Sequence, residues 1–167
     1  MKAYKISNLK DFMNKLLLSE CFDFFLLQEG AVATYNTFHI DGHILKDFYT
    51  KEEQEDGSFC SSEFSLWKNM RTVFFHLVKG KRTPLNFKFV LLLPPSHMQK
   101  VLTEGGLSDD QNLLKAFALT VRYDGNTVSV VTGVSTNGFL MDKSFEKLWD
   151  HAFEKFMNQN LIAWEEI

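Results

Sequence analysis

The chain is poor in the residues and patterns that usually announce chemistry. Its two cysteines, Cys21 and Cys60, stand far apart and share no metal-ligand spacing, which excludes a thiolate zinc framework and a disulfide-stapled scaffold. Proline is scarce, at three residues, and no repeat or low-complexity tract interrupts the sequence, so Pro-rich linkers and repeat architectures are excluded. Basic charge is not in excess: the net charge is −3 and the pI about 5.9, whereas a general nucleic-acid-binding domain has a pI above roughly 9. Bulk charge therefore argues against nucleic acid as a partner, while a local basic patch stays open. Long apolar runs are missing too. Ser19, Glu20 and Asp23 break up the apolar residues that follow Lys2 and Lys5, so neither a signal-peptide core nor a membrane span is expected. The expected setting is the cytoplasm, with both thiols reduced.

What is abundant is phenylalanine, with seventeen among 167 residues. Each ring brings a large apolar area. A chain of this length is expected to form a single globular domain over residues 1–167, on the usual prior of roughly 100–200 residues per domain. Such a domain buries about 70% of its unfolded surface, so a Phe-rich core needs no metal or disulfide.

Residues 2–6 read as a short edge strand, followed by a helix capped by Ser7 or Asn8 with Leu9, Phe12, Met13, Leu16 and Leu17 on one face. Residues 22–27 and 31–40 read as strands, and Asp41-Gly42 as a two-residue hairpin turn with a return strand over 43–49. The acidic run 51–57 reads as a solvated loop. A second helix is expected from about residue 62 to 79, with Gly80 at C′ and Leu66, Trp67, Met70, Val73, Phe74, Leu77 and Val78 on its apolar face. Residues 85–93 form a central strand that Pro94-Pro95 ends. Ser96 with Gln99 then makes a capping-box pattern for a short helix through Leu102, and Ser108 with Gln111 repeats it.

The last third is the most legible. Phe117, Leu119, Val121 and Tyr123 alternate with Ala118, Thr120 and Arg122, and Val128 and Val130 alternate with Thr127 and Ser129. The turn falls at Asp124-Gly125 or Gly125-Asn126, and the apolar face is the same in either register. From Asp142 the period changes to 3.6. Phe145, Leu148, Trp149, Ala152, Phe153, Phe156 and Met157 form one stripe, and Lys143, Glu146, Lys147, Asp150, His151, Glu154 and Lys155 the other face. One wet sheet face and one packed face predict an α+β fold. It has an antiparallel sheet of about five to seven strands and helices mainly on one face. The long C-terminal amphipathic helix is packed across the sheet.

Several segments suggest chemistry and fail on geometry. His39, Asp41 and His43 alternate like a metal triad, but an Asp41-Gly42 hairpin turn would send the two histidines to opposite faces. The run Gly133-Val134-Ser135-Thr136-Asn137-Gly138 places its second glycine one residue too late for a nucleophile elbow and leaves an antiparallel strand. Gly80-Lys81-Arg82-Thr83 lacks the upstream glycine of a phosphate loop and follows a helix. His76, His97 and His151 have no mutual spacing. The remaining candidate is a basic cluster of Lys68, Arg71 and Lys79 around Phe75, continued by Lys81 and Arg82. Ion pairing around an aromatic anchor suits an acidic or phosphorylated protein partner. The plainer alternative is a solvated basic face with Phe75 tucked beneath a loop.

The stretches Val121-Arg122-Tyr123-Asp124-Gly125, Val131-Thr132-Gly133-Val134-Ser135 and Met141-Asp142-Lys143-Ser144 with Trp149-Asp150 resemble an uncharacterised family of small bacterial cytosolic proteins, a domain of unknown function. The segment Lys79-Gly80-Lys81-Arg82-Thr83-Pro84 and the residues around Asp41-Gly42 fit the same family. The resemblance implies a single bacterial cytosolic domain over most of the chain and carries no activity, cofactor or catalytic residue.

The expectation is a non-enzymatic interaction or adaptor domain that uses the basic cluster, with no catalytic, cofactor or metal residues assigned. The alternative is a small-molecule domain gripping an apolar or anionic ligand between sheet and helices, which needs a cavity of roughly 300 Å³ or more. A hydrolase, which needs convergent polar groups with shifted pKa values in a cleft, ranks third.

Overall fold

The computed structural model describes residues 1–57, 62–109, 112–139 and 142–167; Cys60, Gln111 and Met141 lie outside them. The first half of the chain gives β1 (Ala3–Ile6), α1 (Leu9–Leu17), β2 (Leu26–Ala33), β3 (Thr37–Asp41), α2 (Lys51–Asp56), β4 (Ser65–Leu66) and α3 (Trp67–Val78). The second half gives β5 (Asn86–Leu92), α4 (Pro95–Glu104), β6 (Leu114–Tyr123), β7 (Val128–Thr136), α5 (Ser144–Gln159) and β8 (Trp164–Glu166).

Alternation and amphipathicity combine as an α+β fold. Among the described residues all pairings are antiparallel, and the eight-stranded sheet runs β3-β2-β5-β6-β7-β1-β8, with β4 added on β2. One row across it joins Ile40, Gly30, Phe89, Val121, Val130 and Tyr4. Cross-strand partners share a face, and this is the face the helices cover. Phe74 of α3 meets Phe89 at 4.7 Å, Trp149 of α5 stacks on Phe117 at 5.1 Å, and Phe153 meets Tyr4 edge-on at 5.6 Å. Burying each such ring contributes about 1.5–3 kcal/mol. The two buried indoles also have acceptors: Trp67 Nε1 donates to the Leu16 carbonyl and Trp149 Nε1 to that of Ala118. The opposite face carries the row Lys5, Ser129, Arg122, Lys88, Ala31 and His39.

The C-terminal hairpin takes the second of its two registers, with Val121 opposite Val130 and Gly125-Asn126 as the turn. Gly125 alone of the pair has positive φ, at 99°, as in a turn whose first central residue is glycine. In α1, Asn8 is the N-cap and its side chain accepts from the Asp11 N–H.

Other expectations are corrected. β1 is not an edge strand, because β8 pairs outside it. Phe22 and Phe25 are buried in turns before β2 rather than within a strand. The hairpin turn lies at 34–36, where Ala33 pairs with Thr37, and not at Asp41-Gly42. Gly42 instead follows the end of β3 and still pairs with β2, its N–H bonding the Gln28 carbonyl at 2.9 Å. A Cβ there would sit 1.8 Å from the Leu27 carbonyl oxygen, so close approach rather than a turn explains the glycine. The expected return strand is a bridge from His43 to Phe64 followed by a 3₁₀ turn at Lys46–Phe48. The acidic run is α2, closed by a capping box between Thr50 and Glu53 and ended by Gly57 at φ 68°. α3 begins at Trp67, five residues later than expected. Pro95 opens α4 at the first helical position, and no Ser96 capping box forms.

Candidate functional site

Three segments of chain enclose a surface groove of about 550 Å³. The tight β2–β3 turn supplies Thr34 and Tyr35, and β3 supplies Phe38. The last turn of α3 supplies His76, Leu77, Val78 and Lys79, and the loop onto β5 supplies Gly80, Lys81, Arg82, Thr83 and Leu85. Leu85 N–H bonds the Ala33 carbonyl at 2.8 Å, which fixes the loop to the turn. Lys79 is the C-cap of α3, with extended φ and ψ, so the helix stops without a left-handed glycine.

The groove is apolar in its floor and cationic at its rim. Leu77, Val78 and Phe38 are half-buried, whereas Tyr35 is 86% and Leu85 67% exposed. Tyr35 meets Phe38 edge-on at 5.7 Å. Lys79 Nζ lies 5.6 Å from the centre of the Phe75 ring, a cation–π distance. Lys79, Lys81 and Arg82 are exposed and form no ion pair among the described residues. The Thr34 hydroxyl oxygen is buried and has no hydrogen-bond partner among the described residues. A polar atom in that position costs about 1–3 kcal/mol unless something satisfies it.

Of the basic cluster read from the sequence, the structure brings Lys79, Lys81 and Arg82 together on this rim. Lys68 does not join them. It sits in the first turn of α3, about 16 Å along the helix from Lys79 at 1.5 Å per residue. Arg71 is turned the other way, with its Nε 2.7 Å from Asp23 Oδ1 and a further hydrogen bond to the Leu17 carbonyl. That guanidinium ties α3 to the turn after α1. Phe75 is half-buried against the core and is not an open anchor.

The other suggestive segments fall as follows. His39, Asp41 and His43 do line one depression, of about 480 Å³, on the face away from the helices. With no turn at 41–42, the three side chains lie on the same side. Asp41 accepts from the His43 N–H at 2.9 Å and meets its Nδ1 at 2.6 Å, and Glu63 lies 3.3 Å from Nε2. Those contacts hold the Asp41 carboxyl below its ordinary value and raise that of the His43 imidazole. No group of three metal-ligating side chains forms here or elsewhere among the described residues. Ser135 lies inside β7 opposite Ala116, so no elbow exists there.

One polar cluster had no sequence signal. Asp150, on the face of α5 read as solvated, is buried, accepting from the Thr132 hydroxyl and from the Met1 amino group at 3.0 Å. Next to it Glu154 accepts from Lys2 and from the Tyr4 hydroxyl. All these groups are mutually satisfied, and the cluster clamps β1 and β7 to α5.

A model of a family of unknown function, DUF5721, matches residues 15–165. The chain belongs to that family. Comparison with curated proteins finds no match, and neither does comparison with solved structures. No helix among the described residues is long and apolar enough to cross a membrane.

Proposed function

We propose that this member of the family is a non-enzymatic interaction domain whose groove receives an acidic or phosphorylated segment of a protein partner. The observation that carries the reading is the rim of the groove: Lys79, Lys81 and Arg82 stand around one concave apolar surface with no carboxylate paired to them among the described residues. Charge-assisted hydrogen bonds to carboxylate or phosphate are about twice as strong as neutral ones, and Tyr35, Phe38 and Leu85 offer apolar contact beside them.

A ligand held between sheet and helices has less support, because that layer is packed ring on ring from Trp67 through Phe74 to Phe89. The hydrolase reading has less support, because Asp41 and His43, the shifted pair in the depression on the far face, are shifted by each other at exposed positions. The reading carries a bacterial cytosol as its setting. There Cys21, half-buried with its thiol pushed up to about 11 by burial, stays unreactive.

The test is fluorescence anisotropy with a labelled dodecapeptide of alternating Glu and Val, against the same peptide with Ser for Glu. The expected result is binding of the Glu peptide alone, weakened by salt and reduced at least tenfold by Lys79→Glu, Lys81→Glu and Arg82→Glu together. Equal binding of both peptides, or no effect of the triple substitution, would remove the reading.

A further inference from the structure

We infer that the acidic segment docks by adding a strand to the outer edge of β3, an inference that rests on the groove reading and supplies its geometry. Among the described residues, β3 is the terminal strand of the sheet and pairs with β2 alone. Which of its backbone groups are free follows from the ladder. Gly42 N–H bonds the Gln28 carbonyl, and Thr34 N–H the Asn36 carbonyl, each at 2.9 Å. In an antiparallel pair the hydrogen-bonded positions alternate, so Phe38 and Ile40 also face β2. Leu85 N–H bonding Ala33 checks the phase, because Ala33 then faces β5 and its partner Thr37 faces outward. The N–H and C=O groups of Thr37, His39 and Asp41 therefore point away from the sheet, about 6.8 Å apart at 3.4 Å per residue.

This edge lacks the devices that usually blunt one. Natural edge strands carry lysine, proline or bulges, or are very short. The opposite edge, β8, has three residues, two of them Glu165 and Glu166. β3 has five residues in the sequence Thr-Phe-His-Ile-Asp, with neither lysine nor proline. Beyond Asp41 the edge is closed, because the Asp41 carboxylate takes the outward N–H of His43. The available ladder thus runs over Thr37–Asp41 and no further.

The edge and the groove share Phe38. Phe38 lies on the helix-covered face of the sheet, the side on which Lys79, Lys81 and Arg82 stand. Side chains of an added strand alternate between faces, so every second residue of the incoming segment falls on the groove side, where a carboxylate meets the rim cations. Main-chain hydrogen bonds then give affinity and the alternate side chains give selectivity. A second copy of this chain joined edge to edge would bring two sets of rim cations side by side, a like-charge arrangement that disfavours self-pairing. The occupant the charges fit is an extended acidic segment of another protein.

The test uses the same Glu-Val peptide. Amide hydrogen exchange should slow at least tenfold at Thr37, His39 and Asp41 on saturation, while Phe38 and Ile40, already bonded to β2, change little. His39→Pro removes one outward N–H at a site where an edge strand tolerates proline, and should weaken binding about tenfold. If the triple charge substitution abolishes binding but those amides stay unprotected and His39→Pro binds normally, strand addition is overturned while the groove reading survives. If neither the charges nor the edge matter, both fall. Protection of Thr37, His39 and Asp41 that rises with protein concentration without peptide would replace the partner by a second copy. The exchange measurement on the unsubstituted protein decides the matter even if His39→Pro fails to fold.

Discussion

At the β1–β8 end of the sheet, Lys2 reaches Glu154 and Glu166 at 2.9 Å and Lys5 reaches Glu165 at 3.1 Å, whereas at the β3 end Lys79, Lys81 and Arg82 surround a groove with no such partners among the described residues. Both ends rest on the same aromatic core, so the contrast is one of surface charge and edge. Exposed ion pairs contribute only about 0–1 kcal/mol each, and pairing the cations at one end adds little stability. What it does is use up their hydrogen-bonding capacity. The short β8 edge carries two glutamates, one paired with Lys2 and one with Lys5, whereas the longer β3 edge lies beside cations that have no carboxylate partner among the described residues.

The two ends should be equal in packing. Phe153, under β1 and β7, and Phe74, under β2 and β5, are both fully buried. Replacing either by alanine should cost about 3–5 kcal/mol, read as matched losses in urea unfolding. A cost below about 1 kcal/mol at Phe74 alone would mean that α3 is loosely attached, and the groove that its last turn builds would then not be a preformed surface.

A smaller difference in stability is expected between Arg71 of α3 and Lys81 in the loop that follows it. Arg71 and its partner Asp23 are mostly buried, at 20% and 13% side-chain exposure. Arg71→Ala should cost about 1.5–3 kcal/mol, the range for hydrogen bonds to a charged group. Lys81→Ala, at an exposed residue with no ion pair among the described residues, should stay within about 0.5 kcal/mol of the parent. Equal costs in thermal or urea unfolding would show that Lys81 is held by the fold and is not free for a partner.

How much of this was legible follows the physics of each element. The β6–β7 hairpin and α5 could be read because alternation and the 3.6 period survive any one-residue error in the turn, and Phe117, Phe153 and Met157 are buried as their pattern requires. Asp150 broke the pattern because its burial depends on Thr132 and Met1, which no local signal announces. Asp41-Gly42 misled because Asp-Gly is a strong turn pair, while the actual turn at 34–36 centres on Tyr35, a weak one. Tertiary approach of Gly42 to Leu27 overrode the local signal. α2 did carry a cue, Thr50 with Glu53, but an acidic segment without an apolar stripe reads as a loop. Half of the candidate site was legible in the same sense. Lys79, Lys81 and Arg82 are close in sequence, but Tyr35 and Phe38 reach them only through the β2–β5 pairing.

The β3 end does hold one compensated imidazole, His43 between Asp41 and Glu63, and the hydrogen bond to Asp41 raises it above its ordinary 6.5. His97, half-buried on the Phe24 ring at 4.7 Å, is lowered by burial and by Lys100. Followed by NMR from pH 8 downward, His43 should therefore protonate first and His97 later. The signs in stability are opposite. The His43 contribution is complete below pH 6.5 and is lost as pH rises through its raised value, whereas His97 costs stability as pH falls from 6.5 through its lowered one. Asp41→Asn should bring His43 down towards 6.5 and leave His97 unmoved. Because Asp41 also takes the outward His43 N–H, a peptide laid along Thr37–Asp41 should leave the His43 titration in place. If the bound peptide shifts His43 strongly, the added strand runs past Asp41, and the edge is longer than its hydrogen bonds imply.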